Sequence, residues 1–286
     1  RTRFLRDEII AIELAEEERQ GKKVLLGFYD SFKRLLINKL THEQFADLYA
    51  QTLTYGIFAA RTKSEGDFNR ELIYKYIPNT LGVLKSIFKF ISYDEPPKAL
   101  EVLIDDIAEI LCVTDIKKIL HVYYKEGKGS DPIIHFYETF LSEYDPTLRE
   151  KRGVYYTPEP VVRYIVKSIH SILKSHFSLK DGLADSAVTL LDPAAGTLTF
   201  PAEAIKLAVH EYTGKYGSGS IKQMIKHHII PHFYALELMM APYTVGHLKI
   251  SYLLDELGYQ MAEDERFKLY LSNTLEKDLP AQIETP

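Results

Sequence analysis

Two carboxylates in the C-terminal half stand at the ends of short apolar runs, where a buried strand would leave them. Val188-Thr189-Leu190-Leu191 leads into Asp192 and then into the small residues Pro193-Ala194-Ala195-Gly196-Thr197, while Phe233-Tyr234-Ala235-Leu236 leads into Glu237. Short apolar runs of this kind read as parallel strands covered on both faces. In an open α/β sheet, ligands bind at the carboxyl ends of the strands, where small turn residues let backbone N–H groups approach the ligand. An acid at the end of the second strand suits a ribose, because one carboxylate can accept from both hydroxyls. The turn has neither the Gly-x-Gly-x-x-Gly dinucleotide pattern nor the Gly-Lys-Ser/Thr of a P-loop, which argues against a nicotinamide cofactor and against a nucleoside triphosphate.

The elements that must position these acids follow from periodicity. The spacing predicts a helix from Pro158 to about His176, with Thr157 as N-cap and Pro158 as first helical residue. A first strand over 187–192, a helix over 199–213, a Gly/Ser loop over 214–220 and a short helix over 220–228 come next. The second strand ends at Glu237, a helix runs from Pro242 to Leu257, and Lys268-Leu269-Tyr270-Leu271 is a third strand ending near Ser272-Asn273-Thr274. Each strand thus brings a polar residue to one edge. His227, His228 and His232 lie between the first two strands, but their spacing puts no ligand pair on one helix face, so we read them as structural rather than metal-binding.

Residues 1–150 show no convincing strand and repeat a helical pattern. Phe4, Leu5, Ile9, Ile12 and Leu14 mark a first helix that Gly21 ends, and a second covers Val24 to Leu40. Thr41 and Gln44 form a capping box for a third helix reaching about Arg61, and further helices fall near 67–76, 79–92, 97–111, 113–125 and 131–143. Gly127-Lys128-Gly129-Ser130 has the wrong spacing for phosphate binding and reads as a loop, and Glu95-Pro96-Pro97-Lys98 reads as a helix start.

Composition fits a globular protein, with 46% hydrophobic and 26% charged residues over 286 positions. No apolar run approaches the roughly 18 residues of a membrane span, and the first residues lack the apolar core of a signal peptide, so the expected location is the cytoplasm and no membrane partner is expected. The single cysteine, Cys112, permits no internal disulfide and reads as a small core residue. Five cationic against eleven anionic side chains over 101–150 give way to six against one over 151–180, and this change of sign marks a domain boundary near residue 150.

Three segments together carry a resemblance. Gly153-Val154-Tyr155-Tyr156-Thr157-Pro158, Asp192 to Phe200 and Phe233 to Leu238 resemble, in order, three consecutive motifs of the gamma-type DNA adenine (N-6) methyltransferases. Thr41 to Arg61 is similar to a helix upstream of the methyltransferase in large single-chain restriction-modification enzymes, although small and aromatic residues at helical spacing primarily mean core packing. The resemblance implies an α plus α/β chain: an all-helical N-terminal domain over 1–150, then over 151–286 the first, cofactor-binding half of a Rossmann-like methyltransferase domain. It implies S-adenosylmethionine as cofactor, with Tyr155, Thr157, Asp192, Ala194 and Gly196 at its methionine part, Glu237 at ribose, and Leu238 and Asn273 at adenine. Two positions depart from the family pattern: Leu198 replaces the usual second glycine of the turn, and Asn273 replaces the third-strand acid.

The family's Asn/Asp-Pro-Pro-Tyr/Phe motif, which grips a flipped adenine, does not occur in the sequence. The expectation is therefore a piece of a longer polypeptide that methylates adenine in duplex DNA, with target-recognition and nuclease segments elsewhere, and with no catalytic residue and no methyl transfer in this piece alone. Two other readings share these elements: a non-catalytic helical scaffold with a degenerate cofactor fold, and an RNA or protein methyltransferase.

Overall fold

The computed structural model describes residues 1–9, 14–21, 24–35, 40–64, 66–77, 82–94, 96–116, 118–119, 140, 143–144, 157–262, 265–272 and 274–275. The chain divides into two compact units with the boundary between Thr147 and Leu148.

The first unit contains helices and, among the described residues, no strand. They are α1 (Thr2–Glu8), α2 (Ala15–Gln20), α3 (Leu25–Leu35), α4 (His42–Lys63), α5 (Arg70–Tyr76), α6 (Gly82–Tyr93) and α7 (Lys98–Val113). Helix α4 is the axis of the unit. Its capping box forms as the sequence predicts, with Gln44 N–H donating to Thr41 Oγ1 and Thr41 N–H to Gln44 Oε1. From Phe45 to Ala60 every residue except Asp47 is buried, so the helix is enclosed on all sides. Gly56 permits the closest approach, because a Cβ there would sit 1.9 Å from the Phe88 ring on α6. The Arg70 guanidinium joins three helices by bonding the Ile91 carbonyl, Glu101 and Asp105.

Helix α3 starts on a buried acid. The Glu17 carboxylate accepts from the N–H groups of Val24, Leu25 and Leu26 at 2.9–3.0 Å, which satisfies the unpaired donors of a helix N-terminus with the favoured sign of charge. Cys112, expected in the core, is only half-buried, because it is the penultimate residue of α7 where the helix leaves the packed interior. The expected loop at 127–130 and the greater part of the helices expected near 113–125 and 131–143 lie outside the described residues.

The second unit holds a three-stranded parallel sheet in the order β1 (Leu190–Asp192), β2 (Phe233–Glu237), β3 (Lys268–Leu271). Helix α8 (Glu159–His176) precedes it, α9 (Thr199–Tyr216) follows β1, and α12 (Met240–Glu256) joins β2 to β3. The first strand is shorter than expected because the Asp185 side chain accepts from Ala187 N–H and its carbonyl from Val188 N–H, curling the chain just before the sheet. The short helix expected over 220–228 instead runs on to the sheet as α10 (Ile221–Met224), a π turn (Ile225–Ile229) and α11 (Ile230–His232). Thr157 does not cap α8. Pro158 is the N-cap residue, with the extended ψ of 135°, and Pro160 takes the second helical position, where a missing N–H is harmless.

Histidines fasten this unit. Leu183, in a 3-10 turn over Gly182–Ala184, donates its N–H to His170 Nδ1 at 3.2 Å, and its carbonyl is 2.9 Å from His228 Nε2. A carbonyl only accepts, so His228 carries its proton on Nε2, and its buried Nδ1 has no partner. His247 on α12 is enclosed, bonded to the Leu269 backbone, with Nε2 unpartnered. Burial holds all three below the ordinary imidazole range, His247 at about 4.

Two outcomes follow from these buried groups. Glu17→Ala strips three charge-assisted bonds from the start of α3 and should destabilise the first unit by about 2–3 kcal/mol in urea denaturation followed by circular dichroism; an unchanged midpoint would contradict the capping role. Unfolding returns the histidines to normal titration, so between pH 6.5 and about 4 the unfolded chain binds more protons, and stability falls as the pH is lowered through that window. His247 alone accounts for about 3 kcal/mol at the acid end, and His247→Gln should flatten the dependence of the urea midpoint on pH.

Candidate functional site

Because the strands are parallel and consecutive, their carboxyl ends lie on one edge. Asp192 pairs in register with Ala235, and Glu237 with Leu271, so Glu237 stands two residues beyond the level of Asp192. The turn after β1 folds over the end of β2. Ala195 N–H donates to the Leu236 carbonyl at 2.9 Å, and Gly196 N–H to Glu237 Oε2 at 2.8 Å. On its other oxygen Glu237 accepts the Met239 N–H at 2.7 Å, while its carbonyl accepts the Ser272 N–H at 2.8 Å from the end of β3. Thr274 Oγ1 donates to the Pro193 carbonyl at 2.5 Å. Glu237 is therefore the hub of the edge, tied to the turns after all three strands.

The glycine of the turn is there for its backbone. Gly196 has φ +54°, and a Cβ built on it meets nothing within 4 Å, so conformation and not space selects glycine. Leu198 is the less expected case: it too is left-handed, at φ 60° and ψ 37°, as the N-cap of α9. A side chain in that region costs about 1–2 kcal/mol. Here the side chain is fully buried in the core, and burial of a leucine offsets such a cost.

The electrostatics are those of two shielded acids. Asp192 accepts from Ala194 N–H at 3.2 Å, and burial raises its pKa against that bond. Burial likewise raises Glu237, opposed by the N–H groups of Met239, Gly196 and Leu238 and reinforced by repulsion from Asp192. A carboxylate has about four acceptor positions, and the N–H groups of Gly196, Met239 and Leu238 take part of that capacity, Gly196 and Met239 on separate oxygens. Acceptor capacity remains for a ligand hydroxyl.

The structure thus brings together Asp192, Ala194, Gly196, Glu237 and Leu238, with Ala194 and Leu238 exposed at the rim. Thr157, half-buried before α8, makes none of the hydrogen bonds of this cluster. Tyr155 and Asn273 lie outside the described residues. Sequence reasoning missed the backbone donors of Ala195, Met239 and Ser272, which no side-chain pattern reveals. It also missed the grip on the start of α9, where Lys249 Nζ from α12 donates to Thr199 Oγ1 at 3.3 Å; a lysine in the apolar stretch of α12 was the available signal.

Three solved structures share the fold of this chain over 95–96% of its length: a DrdV–DNA complex at TM-score 0.64 and 21% identity, the Type ISP restriction-modification enzyme LlaBIII bound to DNA at 0.61 and 19%, and a nuclease-deletion mutant of the Type ISP restriction-modification enzyme LlaGI with a DNA substrate mimic at 0.59 and 19%. The chain spans only 24%, 17% and 20% of those proteins, respectively. No curated protein matches it in sequence. A family model described as N-6 DNA Methylase matches residues 128–284, more than half of the chain and including all three strands and the Glu237 hub, and on that match the chain belongs to the N-6 DNA methylase family.

Proposed function

We propose that the strand-end cluster is the S-adenosylmethionine site of the first half of a Rossmann-like methyltransferase domain, and that the polypeptide to which this chain belongs methylates the exocyclic amino group of adenine in duplex DNA as part of restriction-modification. Residues 1–150 are its helical domain and 151–286 its cofactor half. The observation that carries the reading is the Glu237 carboxylate, buried at the end of β2, fixed by backbone N–H groups and with acceptor capacity left for a ribose hydroxyl. Asp192 and the turn through Ala194 and Gly196 face the methionine part, together with Tyr155 and Thr157, while Leu238 and Asn273 flank adenine.

The donor set fits this cofactor better than a dinucleotide. Two carboxylates at one edge attract a ligand bearing an ammonium and a sulfonium, and repel a pyrophosphate. When bound, the cofactor supplies an electrophilic methyl group; this chain's residues hold its ribose and orient its methionine end. The DNA bound in two of the related structures, and the DNA substrate mimic bound in the third, support DNA as partner. No helix among the described residues is long and apolar enough to cross a membrane, and we place the parent protein in the cytoplasm.

Calorimetry should detect S-adenosylmethionine and not NAD, and Glu237→Ala should weaken binding by about 1–3 kcal/mol. Binding of NAD alone would refute the reading. A radiolabelled-methyl assay should show no transfer by residues 1–286, which contain no Asn-Pro-Pro-Tyr segment, and transfer to adenine by the parent polypeptide that is lost on mutating Asp192. Robust transfer by this chain alone would reveal an acceptor site within it.

A further inference from the structure

The left-handed start of α9 has a counterpart on α12. Gly246 lies within that helix, where glycine is a poor helix former and alanine would ordinarily be better. A Cβ at Gly246 would stand 3.0 Å from Leu198 Cγ, 3.1 Å from Leu198 Cδ1 and 3.2 Å from Leu269 Cδ2. All three contacts are tighter than ordinary packing, and both leucines are themselves buried in the core, so an added methyl has to displace side chains in a packed interior. Three residues further along α12, Lys249 holds Thr199, the residue after Leu198. Leu198 N–H also closes the turn on the Ala195 carbonyl at 2.9 Å, and its own carbonyl accepts the Ala202 N–H at 3.0 Å. The Leu198 side chain therefore anchors both the end of the Asp192–Gly196 turn and the first bond of α9.

We propose that Leu198 and Gly246 are a matched pair of positioning residues for the cofactor turn: the hole left by Gly246 receives the Leu198 side chain, and that seat holds a non-glycine residue in the left-handed conformation on which the Gly196–Glu237 bond depends. The proposal rests on the cofactor reading of the strand-end cluster. Neither residue touches the ligand; each acts through the placement of the Gly196 backbone.

The test compares the wild-type chain with Gly246→Ala, Leu198→Gly and the double variant, by thermal midpoint and by S-adenosylmethionine calorimetry. Gly246→Ala should lower the midpoint by about 3–10 °C through overpacking. It should also weaken the cofactor about tenfold or more, the loss expected when a charge-assisted bond in the turn is displaced. The double variant moves the glycine from the helix to the turn and should recover affinity to within about threefold of wild type, with a midpoint above that expected from adding the two single effects. Unchanged affinity in Gly246→Ala, or a double variant no better than Gly246→Ala, overturns the proposal. Should Gly246→Ala fail to fold, recovery of folding and binding in the double variant supports the pairing and its absence overturns it. If the wild-type chain does not bind S-adenosylmethionine, the cofactor reading fails instead; the positioning role fails with it, and the midpoints then show only whether the two residues are coupled.

Discussion

A carboxylate removed from water must be met by donors, and the arrangement around Glu237 follows from that requirement. The acid is buried by the turn that folds over β2, and the backbone amides of Gly196 and Met239 make its charge tolerable. The dependence runs both ways. Without the acid, the two amides would lose their acceptor, and the turns after β1 and β2 would lose the link between them. The same group that reads as a ligand residue is thus also the staple of its own site, so affinity and local structure cannot be varied separately at this position.

Much of this was legible in the sequence because it depends on short-range patterns. The Thr41/Gln44 capping box, Gly21 in its left-handed conformation and the third strand at 268–271 were all fixed by local chemistry, and each appears where the pattern puts it. Asp192 and Glu237 were identifiable because an acid after an apolar run can only be tolerated at a strand end. What was not legible depends on tertiary geometry. The length of β1 is limited by a side-chain turn at Asp185, the π turn over Ile225–Ile229 has no propensity signature, and the full enclosure of α4 is decided by the helices around it. The backbone donors at the site are invisible for the same reason: every residue carries an N–H, and only the fold decides which ones meet.

The two units use buried polarity differently. In the first, Glu17 and Arg70 pair charge with helix ends and neighbouring helices, so their partners are backbone groups and other ions. In the second, neutral histidines hold Leu183 from both its amide and its carbonyl, a clamp on the chain just ahead of β1. Gly182 completes it, since a Cβ there would stand 2.5 Å from the His170 ring. The start of the first strand is thereby located before the sheet itself begins.

The sheet order β1-β2-β3 repeats the order in which the strands leave the ribosome. Each newly made strand can add to a partner already present, so no strand has to be inserted between two older ones during vectorial synthesis.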